Sequence, residues 1–316
     1  MMSGILAMFP GQGSQSVGMG SSLLEEFPLT RIVFEEAEDT IKIPLRKLCL
    51  EGPVEKLQLT SNQQPCILTL SIAIWRVLAQ ETSIERVEHY AGHSLGEYSA
   101  LVASNKIQLS DAVRLVHLRG QAMQDAVPFG LGGMAAVVGY DDMELSKLCQ
   151  EITSNIPDSV LEIVNFNSPG QQIVSGHKNA VDALCQHLEK LSIRTVLLPV
   201  SAPFHSSLMK PASTNMAPLL KSLNFSENQQ KIFANLTGEV VENYTAELLI
   251  KQIDHPVLWS KSMENAYKQG IRKFVEIGPG KVLFGLARRC VPKSGSQILH
   301  SENISSTISK INEILH

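Results

Sequence analysis

The sequence predicts an α/β fold in which a mostly parallel β-sheet is covered by helices on both faces, with a smaller domain inserted. Short apolar segments alternate along the chain with longer segments of helical periodicity, a pattern typical of parallel α/β sheets. With 316 residues, of which 44% are hydrophobic and 18% charged, the chain can bury a large core. A change of pattern near residue 128 indicates where the smaller domain begins.

The N-terminal part begins with an apolar strand over Ile5–Phe9, followed by a loop over residues 10–15 with too many glycines for regular structure. In the longest expected helix, Ser61 and Asn62 are candidate caps and Pro65 is expected in the first turn. The elements expected after the loop are helix 23–38, helix 61–79, strand 86–91, helix 97–102 and helix 111–126.

Residues 128–199 show the order strand-helix-strand-strand-helix-strand, which is the ferredoxin-like order. We therefore divide the chain into a large domain, residues 1–127 and 200–316, and a small ferredoxin-like domain between them. The small domain is expected to contain strand 134–139, helix 142–152, strands 161–165 and 172–175, helix 179–191 and strand 194–199. The returning large domain is expected to contain helix 208–222, strand 231–235, helices 245–252 and 260–269, strand 273–277 and helix 282–289.

Composition and charge argue against several classes of partner. The net charge is -4 with no long run of one sign, so we expect no nucleic-acid or membrane surface. The five cysteines lack zinc-ligand spacing, so we expect no metal and interpret the thiols as buried and free in a reducing compartment. We expect a cytoplasmic protein, because no basic leader and no apolar stretch of transmembrane length occurs, and we also expect a monomer. An organelle protein whose leader has been removed fits the same pattern.

The segment Gly92-His93-Ser94-Leu95-Gly96 matches the G-x-S-x-G nucleophile elbow. An expected strand precedes it and an expected helix follows it, as this motif requires, and we expect an α/β-hydrolase-like large domain. The glycines allow a sharp turn that exposes the serine hydroxyl, and the helix N-terminus can stabilise an anionic intermediate. We interpret Ser94 as catalytic, the alternative being an ordinary serine in a tight turn. Strand alternation points His93 away from Ser94.

A catalytic serine needs a base, and His205 is the best-placed of the nine histidines. It follows an apolar segment that we interpret as a buried strand leaving the sheet, and catalytic groups in α/β sheets gather where strands end. The alternative is a structural loop histidine. No acidic residue between Ser94 and His205 ends a strand of the large domain. Either the histidine is oriented by something other than a carboxylate, or the protein is not a hydrolase of the usual plan.

Six motifs occur together and in order along the chain. They are Pro10-Gly11-Gln12-Gly13-Ser14-Gln15, Ala91-Gly92-His93-Ser94-Leu95-Gly96-Glu97-Tyr98, Arg119-Gly120, Asn165-Phe166-Asn167-Ser168-Pro169-Gly170-Gln171, Phe204-His205 and Glu276-Ile277-Gly278-Pro279-Gly280. Together they resemble the malonyl-CoA:acyl carrier protein transacylases, the acyltransferase family of fatty acid and polyketide synthesis. The resemblance runs from about residue 5 to about residue 290.

The resemblance implies a role for each part of the catalytic machinery. Ser94 is the nucleophile that the thioester acylates, and His205 is its base. The histidine is oriented by a main-chain carbonyl, which falls on Gln252, and this would explain the missing acid. The backbone N–H groups of Gln12 and Leu95 form the oxyanion hole.

The resemblance also implies how the acyl group is held. Arg119 grips the free carboxylate of the malonyl group, because a planar guanidinium can make two parallel hydrogen bonds to it. Phe204 resembles the malonyl-selecting pattern, since a bulky residue there would crowd an α-methyl group. We also count His93 and Asn165 among the candidate substrate-binding residues. One departure is His255, which stands before a proline where many family members have asparagine.

The implied activity is transfer of a malonyl group from malonyl-CoA to the phosphopantetheine thiol of an acyl carrier protein, supplying fatty acid synthesis. It proceeds through a malonyl-serine intermediate, and no bound cofactor is expected. A discrete acyltransferase that serves a polyketide synthase in trans is one alternative, and a serine thioesterase or hydrolase is a second. A non-catalytic docking protein is a third alternative, against which the presence of Ser94, His205 and Arg119 argues.

Overall fold

Two separate β-sheets organise the chain in the computed structural model, which describes residues 4–200 and 202–315. The strands of these residues are β1 (Ile5–Phe9), β2 (His89–Gly92), β3 (Gly132–Val138), β4 (Leu161–Ser168), β5 (Gln171–His177), β6 (Arg194–Leu197), β7 (Lys231–Phe233), β8 (Val240–Val241), β9 (Lys273–Glu276) and β10 (Gln297–His300).

Helices surround both sheets. Within the described ranges they are α1 (Ser21–Glu26), α2 (Pro28–Ile41), α3 (Leu45–Glu51), α4 (Val54–Gln58), α5 (Thr60–Glu81), α6 (Gly96–Ala103), α7 (Leu109–Asp125), α8 (Asp142–Asn155), α9 (Lys178–Lys190), α10 (Lys210–Lys221), α11 (Ala246–Gln252), α12 (Trp259–Lys268), α13 (Val282–Cys290) and α14 (Ile304–Leu315).

The first sheet has six strands in the order β10-β9-β1-β2-β7-β8. Its strands pair in parallel, except that β8 runs antiparallel to β7. Side chains of β1 alternate between two cores: Ala7 and Phe9 pack on the side of α5, α6 and α7, and Leu6 and Met8 on the side of α12 and α13. The sheet is therefore buried on both faces, as the sequence predicts for a parallel α/β sheet.

The second sheet has four antiparallel strands in the order β4-β5-β3-β6. Its elements follow one another as strand-helix-strand-strand-helix-strand, the order expected for residues 128–199. Helices α8 and α9 cover one face, where Val137, Leu145, Val174 and Leu184 lie in a separate hydrophobic core. At its β4 edge, Val257 of the segment between α11 and α12 exchanges backbone hydrogen bonds with Val164 and Phe166.

The helix expected over residues 23–38 is wrong as a single element, because the structure has α1 and α2 in its place. Pro28 is the first residue of α2, and Phe27 before it is extended, with φ -124° and ψ 103°. A residue that precedes proline is disfavoured in the helical region, and proline itself is favoured at the first position of a helix. The Phe27-Pro28 pair therefore ends one helix and begins the next.

Pro65 was expected in the first turn of its helix, but it lies inside α5, which begins at Thr60. Neither Ser61 nor Asn62 caps this helix, since the cap residue is Leu59 and no side-chain capping hydrogen bond is made. A proline has no N–H to offer the carbonyl four residues earlier, here that of Ser61. The Nδ1 atom of His117 hydrogen-bonds to that carbonyl oxygen at 2.8 Å, so the proline is accommodated without an unpaired acceptor.

Several expected strands are shorter than predicted, including those expected over 231–235 and 273–277, which end at Phe233 and Glu276. The strand before the elbow begins at His89, and Ile84–Arg86 forms a 3₁₀ turn. The strand expected over 194–199 ends at Leu197 and is an edge strand with mostly exposed side chains, so its reading as a buried strand is wrong. The structure also contains elements that the sequence pattern did not indicate, namely α3, α4, β8, β10 and α14.

Candidate active site

The chain turns sharply between β2 and α6, and Ser94 stands at this turn. Its φ of 52° lies in the left-handed region that most residues avoid. A Cβ atom on Gly96 would clash with the carbonyl oxygen of Phe9, and one on Gly92 would clash with the backbone of Gly96. Asn235 braces the turn, because its Oδ1 accepts from Ser94 N at 2.7 Å and its Nδ2 donates to Gly92 O at 2.6 Å.

Ser94, His205 and the backbone of Gln252 form a hydrogen-bonded chain. Ser94 Oγ lies 2.7 Å from His205 Nε2, and His205 Nδ1 lies 2.8 Å from the carbonyl oxygen of Gln252. A carbonyl can only accept, so Nδ1 carries the proton and Nε2 is free to accept the serine hydroxyl. Both side chains are buried. Burial first, and the charge of Arg119 second, lower the pKa of His205 to about 3, which leaves a neutral imidazole.

Arg119 is a fully buried cation on α7 that lies beside the serine. Its Nη2 donates to Ser94 Oγ at 3.0 Å and to the side-chain oxygen of Gln252 at 2.9 Å, and its Nη1 donates to Gln64 Oε1 at 2.8 Å. Its Nε atom has no partner among the described residues. The structure therefore places a guanidinium that two neutral amides hold beside the Ser94 hydroxyl.

The glycine-rich loop over residues 10–15 packs next to the elbow. The side chain of Gln12 is held by α5, donating to Gln63 Oε1 and accepting from Gln64 Nε2. In the part of the chain that the structure describes, the backbone N–H groups of Gln12 and Leu95 donate to no protein acceptor. Leu95 precedes the first residue of α6, so its amide stands at the positive end of that helix.

The other candidate substrate-binding residues lie around this centre. Phe204 is buried and directly precedes His205. The side chain of His93 turns away from Ser94, as strand alternation predicted, and its Nε2 lies 2.8 Å from Asn167 Oδ1. Asn165 is buried beside Val257 in an isolated parallel bridge, and its Nδ2 lacks a partner within the described residues.

His255, the departure from the family pattern, does not displace the Gln252 carbonyl from His205. Its ring Nδ1 lies 2.7 Å from Asp254 Oδ1, and 46% of its side-chain surface is exposed. The carboxylate of Asp254 is itself buried and also lies 3.5 Å from the ammonium of Lys210. The histidine therefore takes part in a local polar cluster outside the catalytic chain.

Comparison with known proteins decides the family. A profile described as "Acyl transferase domain" matches residues 7–305. The malonyl CoA-acyl carrier protein transacylase of Salmonella typhimurium is 42% identical over 287 residues, which cover 90% of this chain and 92% of that protein. The protein of the same name from Bacillus subtilis is 40% identical, over 91% of this chain and 90% of its own. The chain belongs to the malonyl CoA-acyl carrier protein transacylase family.

Solved structures of transacylases share its α/β fold. The crystal structure of FabD from Acinetobacter baumannii has a TM-score of 0.94 and 36% identity, covering 100% of this chain and 99% of that one. A second solved structure is PlMCAT:AntF, a type II PKS acyl-carrier protein in complex with its malonyl-transacylase. The matching chain has a TM-score of 0.92 and 36% identity, covering 98% of this chain and 100% of that one.

Three residues of this transacylase site had been given no role from the sequence. Asn235 accepts from the backbone of Ser94, and Gln64 accepts from Arg119. Neither residue belongs to a sequence motif, because Asn235 is a single polar residue after a short strand and Gln64 is one of many residues in a long helix. Glu97 belongs to the elbow motif, and its Oε1 accepts from Asn235 N at 3.0 Å and from Tyr244 OH at 2.6 Å. Its Oε2 accepts from Gln252 Nε2 at 2.5 Å, and burial raises the pKa of Glu97 to about 7.

Neither a metal-binding cluster nor a membrane-spanning helix is found among the residues that the structure describes. Over residues 4–200 and 202–315, no group of three or more histidine, cysteine, aspartate or glutamate side chains is placed to hold a metal ion. No helix in these ranges is both long and apolar enough to cross a bilayer. The cysteines are free thiols; Cys49, Cys66 and Cys149 are buried, and Cys185 and Cys290 are partly exposed.

Proposed function

We propose that this chain transfers a malonyl group from malonyl-CoA to the phosphopantetheine thiol of an acyl carrier protein, for fatty acid synthesis. The names of its relatives and the arrangement of Ser94, His205 and Arg119 support this proposal. No bound cofactor is needed, because every group that the reaction uses belongs to the chain or to its substrates.

In the first half-reaction the serine takes the malonyl group. His205 Nε2 accepts the proton of the Ser94 hydroxyl as Oγ attacks the thioester carbonyl carbon. The backbone N–H groups of Gln12 and Leu95 stabilise the oxyanion, and the Gln252 carbonyl stabilises the imidazolium through Nδ1–H. The C–S bond then breaks, and the departing coenzyme A sulfur takes the proton from Nε2, which leaves a malonyl ester on the serine.

In the second half-reaction the carrier thiol reverses these steps. Its proton passes to His205 Nε2 as the sulfur attacks the ester carbonyl. The C–O bond to Ser94 breaks, and Oγ recovers the proton from Nε2. The product is a malonyl thioester of the carrier protein, and the enzyme returns to its starting protonation state.

The observation that carries the proposal is the burial of Arg119 beside the nucleophile. A guanidinium 3.0 Å from Ser94 Oγ finds no counter-charge on a neutral acyl group, but it matches a free carboxylate two carbons from the thioester carbonyl. Phe204 would crowd an α-methyl group, which favours malonyl over methylmalonyl. We place His93 and Asn165 further from the chemistry, as residues that line the approach of the substrate.

We propose that the two sheets belong to two domains, of which the larger one supplies the catalytic residues. The large domain, residues 1–127 and 200–316, is α/β-hydrolase-like and supplies Ser94, Arg119 and His205. Residues 128–199 form a ferredoxin-like domain, for which the strand order β4-β5-β3-β6 and the two helices on one face give support. We further propose that the protein acts as a cytoplasmic monomer.

The test is transfer of radiolabelled malonyl from malonyl-CoA to a phosphopantetheinylated carrier protein. We expect labelled carrier protein with wild-type enzyme, and acylation of Ser94 at a higher kcat/KM from malonyl-CoA than from acetyl-CoA. In Arg119→Ala that ratio should fall by about 100-fold or more, because a buried charge loses its partner. A ratio that stays within about threefold of wild type, less than 1 kcal/mol, contradicts the role of Arg119.

A discrete acyltransferase of polyketide synthesis is the second candidate. Its support is the similarity to the malonyl-transacylase solved in complex with a type II PKS acyl-carrier protein. Parallel transfer assays with the host's fatty acid and polyketide carrier proteins distinguish the two pathways through the ratio of kcat/KM values. Hydrolysis of malonyl-CoA that outpaces transfer would instead indicate a thioesterase.

A further inference from the structure

Glu97 is a buried carboxylate in the first turn of α6, three residues after the nucleophile, and only 1% of its surface is exposed. None of its hydrogen bonds is to Ser94 Oγ or to the imidazole of His205. Its two oxygens instead accept three hydrogen bonds, from the loop after β7, from Tyr244 before α11, and from Gln252 at the end of α11. One carboxylate therefore ties three segments to the helix that carries the elbow.

The bond to Glu97 is one of three hydrogen bonds that fix which way the side-chain amide of Gln252 faces. Gln252 Nε2 donates to Glu97 Oε2 at 2.5 Å and to the carbonyl oxygen of Ser94 at 2.8 Å, so both of its hydrogens are used. The amide oxygen is left to face Arg119 Nη2 at 2.9 Å. In the flipped orientation the amide nitrogen would face the guanidinium, donor against donor, and the oxygen would face two acceptors.

Gln252 also links this contact to the base, because its backbone carbonyl accepts from His205 Nδ1. We propose that Glu97 is a positioning residue for malonyl selection, holding the Gln252 amide so that its oxygen fixes the Arg119 guanidinium beside Ser94. The inference rests on the proposed malonyl transfer. Glu97 acts through Gln252 and contacts neither the substrate nor the reacting atoms.

The ratio of two substrates separates positioning from general stability. If Glu97 only supported the fold, its removal would reduce the fraction of active enzyme and lower acylation from malonyl-CoA and acetyl-CoA equally. If it positions Arg119 through Gln252, its removal harms the substrate that carries a carboxylate more than the one that does not. The malonyl-to-acetyl ratio of kcat/KM for acylation of Ser94 therefore reports the proposed role.

The experiment measures this ratio in wild type, Glu97→Ala, Glu97→Gln and Tyr244→Phe. The ratio should fall about tenfold or more in Glu97→Ala, in which the Gln252 amide loses the acceptor for one of its hydrogens. Glu97→Gln should give an intermediate ratio, because the glutamine has only one accepting oxygen, and in either orientation its NH2 group faces a donor, that of Gln252 or that of Asn235. Tyr244→Phe is the matched control, since it removes a donor from Oε1 and leaves the bond between Oε2 and Gln252.

An equal fall of kcat/KM for malonyl-CoA and acetyl-CoA in Glu97→Ala would overturn the inference. A fall of the ratio in Tyr244→Phe as large as that in Glu97→Ala would overturn it too. Should Glu97→Ala fail to fold, Gln252→Leu removes the same link and keeps the backbone carbonyl for His205. Its ratio should also fall about tenfold or more, and an unchanged ratio would contradict the inference. A wild-type enzyme that is not acylated by malonyl-CoA contradicts the proposed function itself, whereas a malonyl preference that survives Glu97→Ala contradicts only the role of Glu97.

Discussion

Arg119 and His205 share the buried space beside Ser94, so the charge of one affects the protonation of the other. Both reach the same hydroxyl oxygen, Arg119 Nη2 at 3.0 Å and His205 Nε2 at 2.7 Å. Burial and the nearby guanidinium both disfavour the imidazolium and lower the pKa of His205 to about 3. The free enzyme therefore keeps a neutral base well below neutral pH.

Arg119→Ala should move the acid limb of the pH profile to higher pH. A base with a lowered pKa stays active as pH falls, and loss of the cation removes one of the two main causes of that lowering. Burial remains, so the limb should stay below the ordinary histidine value. The measurement is kcat/KM for acylation by acetyl-CoA as a function of pH, because this substrate does not need the guanidinium. The exposed Arg114 of the same helix supplies the control, Arg114→Ala, and an acid limb that does not move in Arg119→Ala contradicts the coupling.

The sequence identified some site residues directly and others only by resemblance. Ser94 has a local motif with the required strand and helix around it, so the residues themselves point to it. The orienting group of His205 is a backbone carbonyl, which leaves no trace in the type of residue that carries it, and only the family pattern placed it at Gln252. Asn235 holds the elbow across 141 residues of sequence, a contact that no local pattern indicates.

At the scale of elements, the crossing of α6 over the end of β1 sets the position of the nucleophile. Gly96→Ala should destabilise the protein by about 1–3 kcal/mol or more, because its Cβ would clash with the Phe9 carbonyl oxygen. We expect a lower Tm and a loss of acylation, since Leu95 and Ser94 must shift with the helix. Gly285→Ala in α13 is the control, since a Cβ there meets nothing within 4 Å and should be neutral or stabilising. A Gly96→Ala enzyme with wild-type Tm and rate would contradict the close crossing.

Elements with a clear apolar pattern were predicted in the right order, whereas breaks at a proline and short strands defined by their partners were not. The strand β1 and the alternating elements of the small sheet follow apolar periodicity, and their order is the one observed. The break between α1 and α2 depends on Pro28, which the apolar pattern alone does not reveal. The two-residue strand β8 and the edge strand β10 are defined by their sheet partners, so their own residues carry too little signal.

At the scale of the whole molecule, the catalytic pair depends on how the two sheets are joined. Ser94 follows β2 of the first sheet, whereas His205 lies in the loop that leaves β6 of the second. Two links connect β4 to the rest of the chain: the backbone bonds of Val257, in the segment before α12, and the contact of His93 Nε2 with Asn167 Oδ1 at 2.8 Å. This second link runs from the elbow itself to the small sheet.

Asn167→Ala should therefore lower acylation more than it lowers stability. Loss of one hydrogen bond is worth about 1 kcal/mol, or about fivefold in kcat/KM, if the elbow shifts with it. The control is Asn155→Ala, which removes an exposed asparagine of α8 in the same unit. The measurements are kcat/KM for acylation and Tm, for both variants and the wild type. A variant with a lower Tm and an unchanged rate would show that the link supports folding alone.

The central claim is that Ser94 carries the malonyl group between the two thioesters. The most direct test is the intact mass of the protein after incubation with malonyl-CoA alone. We predict a single malonyl adduct on the wild type, its absence from Ser94→Ala, and its loss when a phosphopantetheinylated carrier protein is added. A wild type that stays unmodified, or an adduct that persists in Ser94→Ala, would contradict the account.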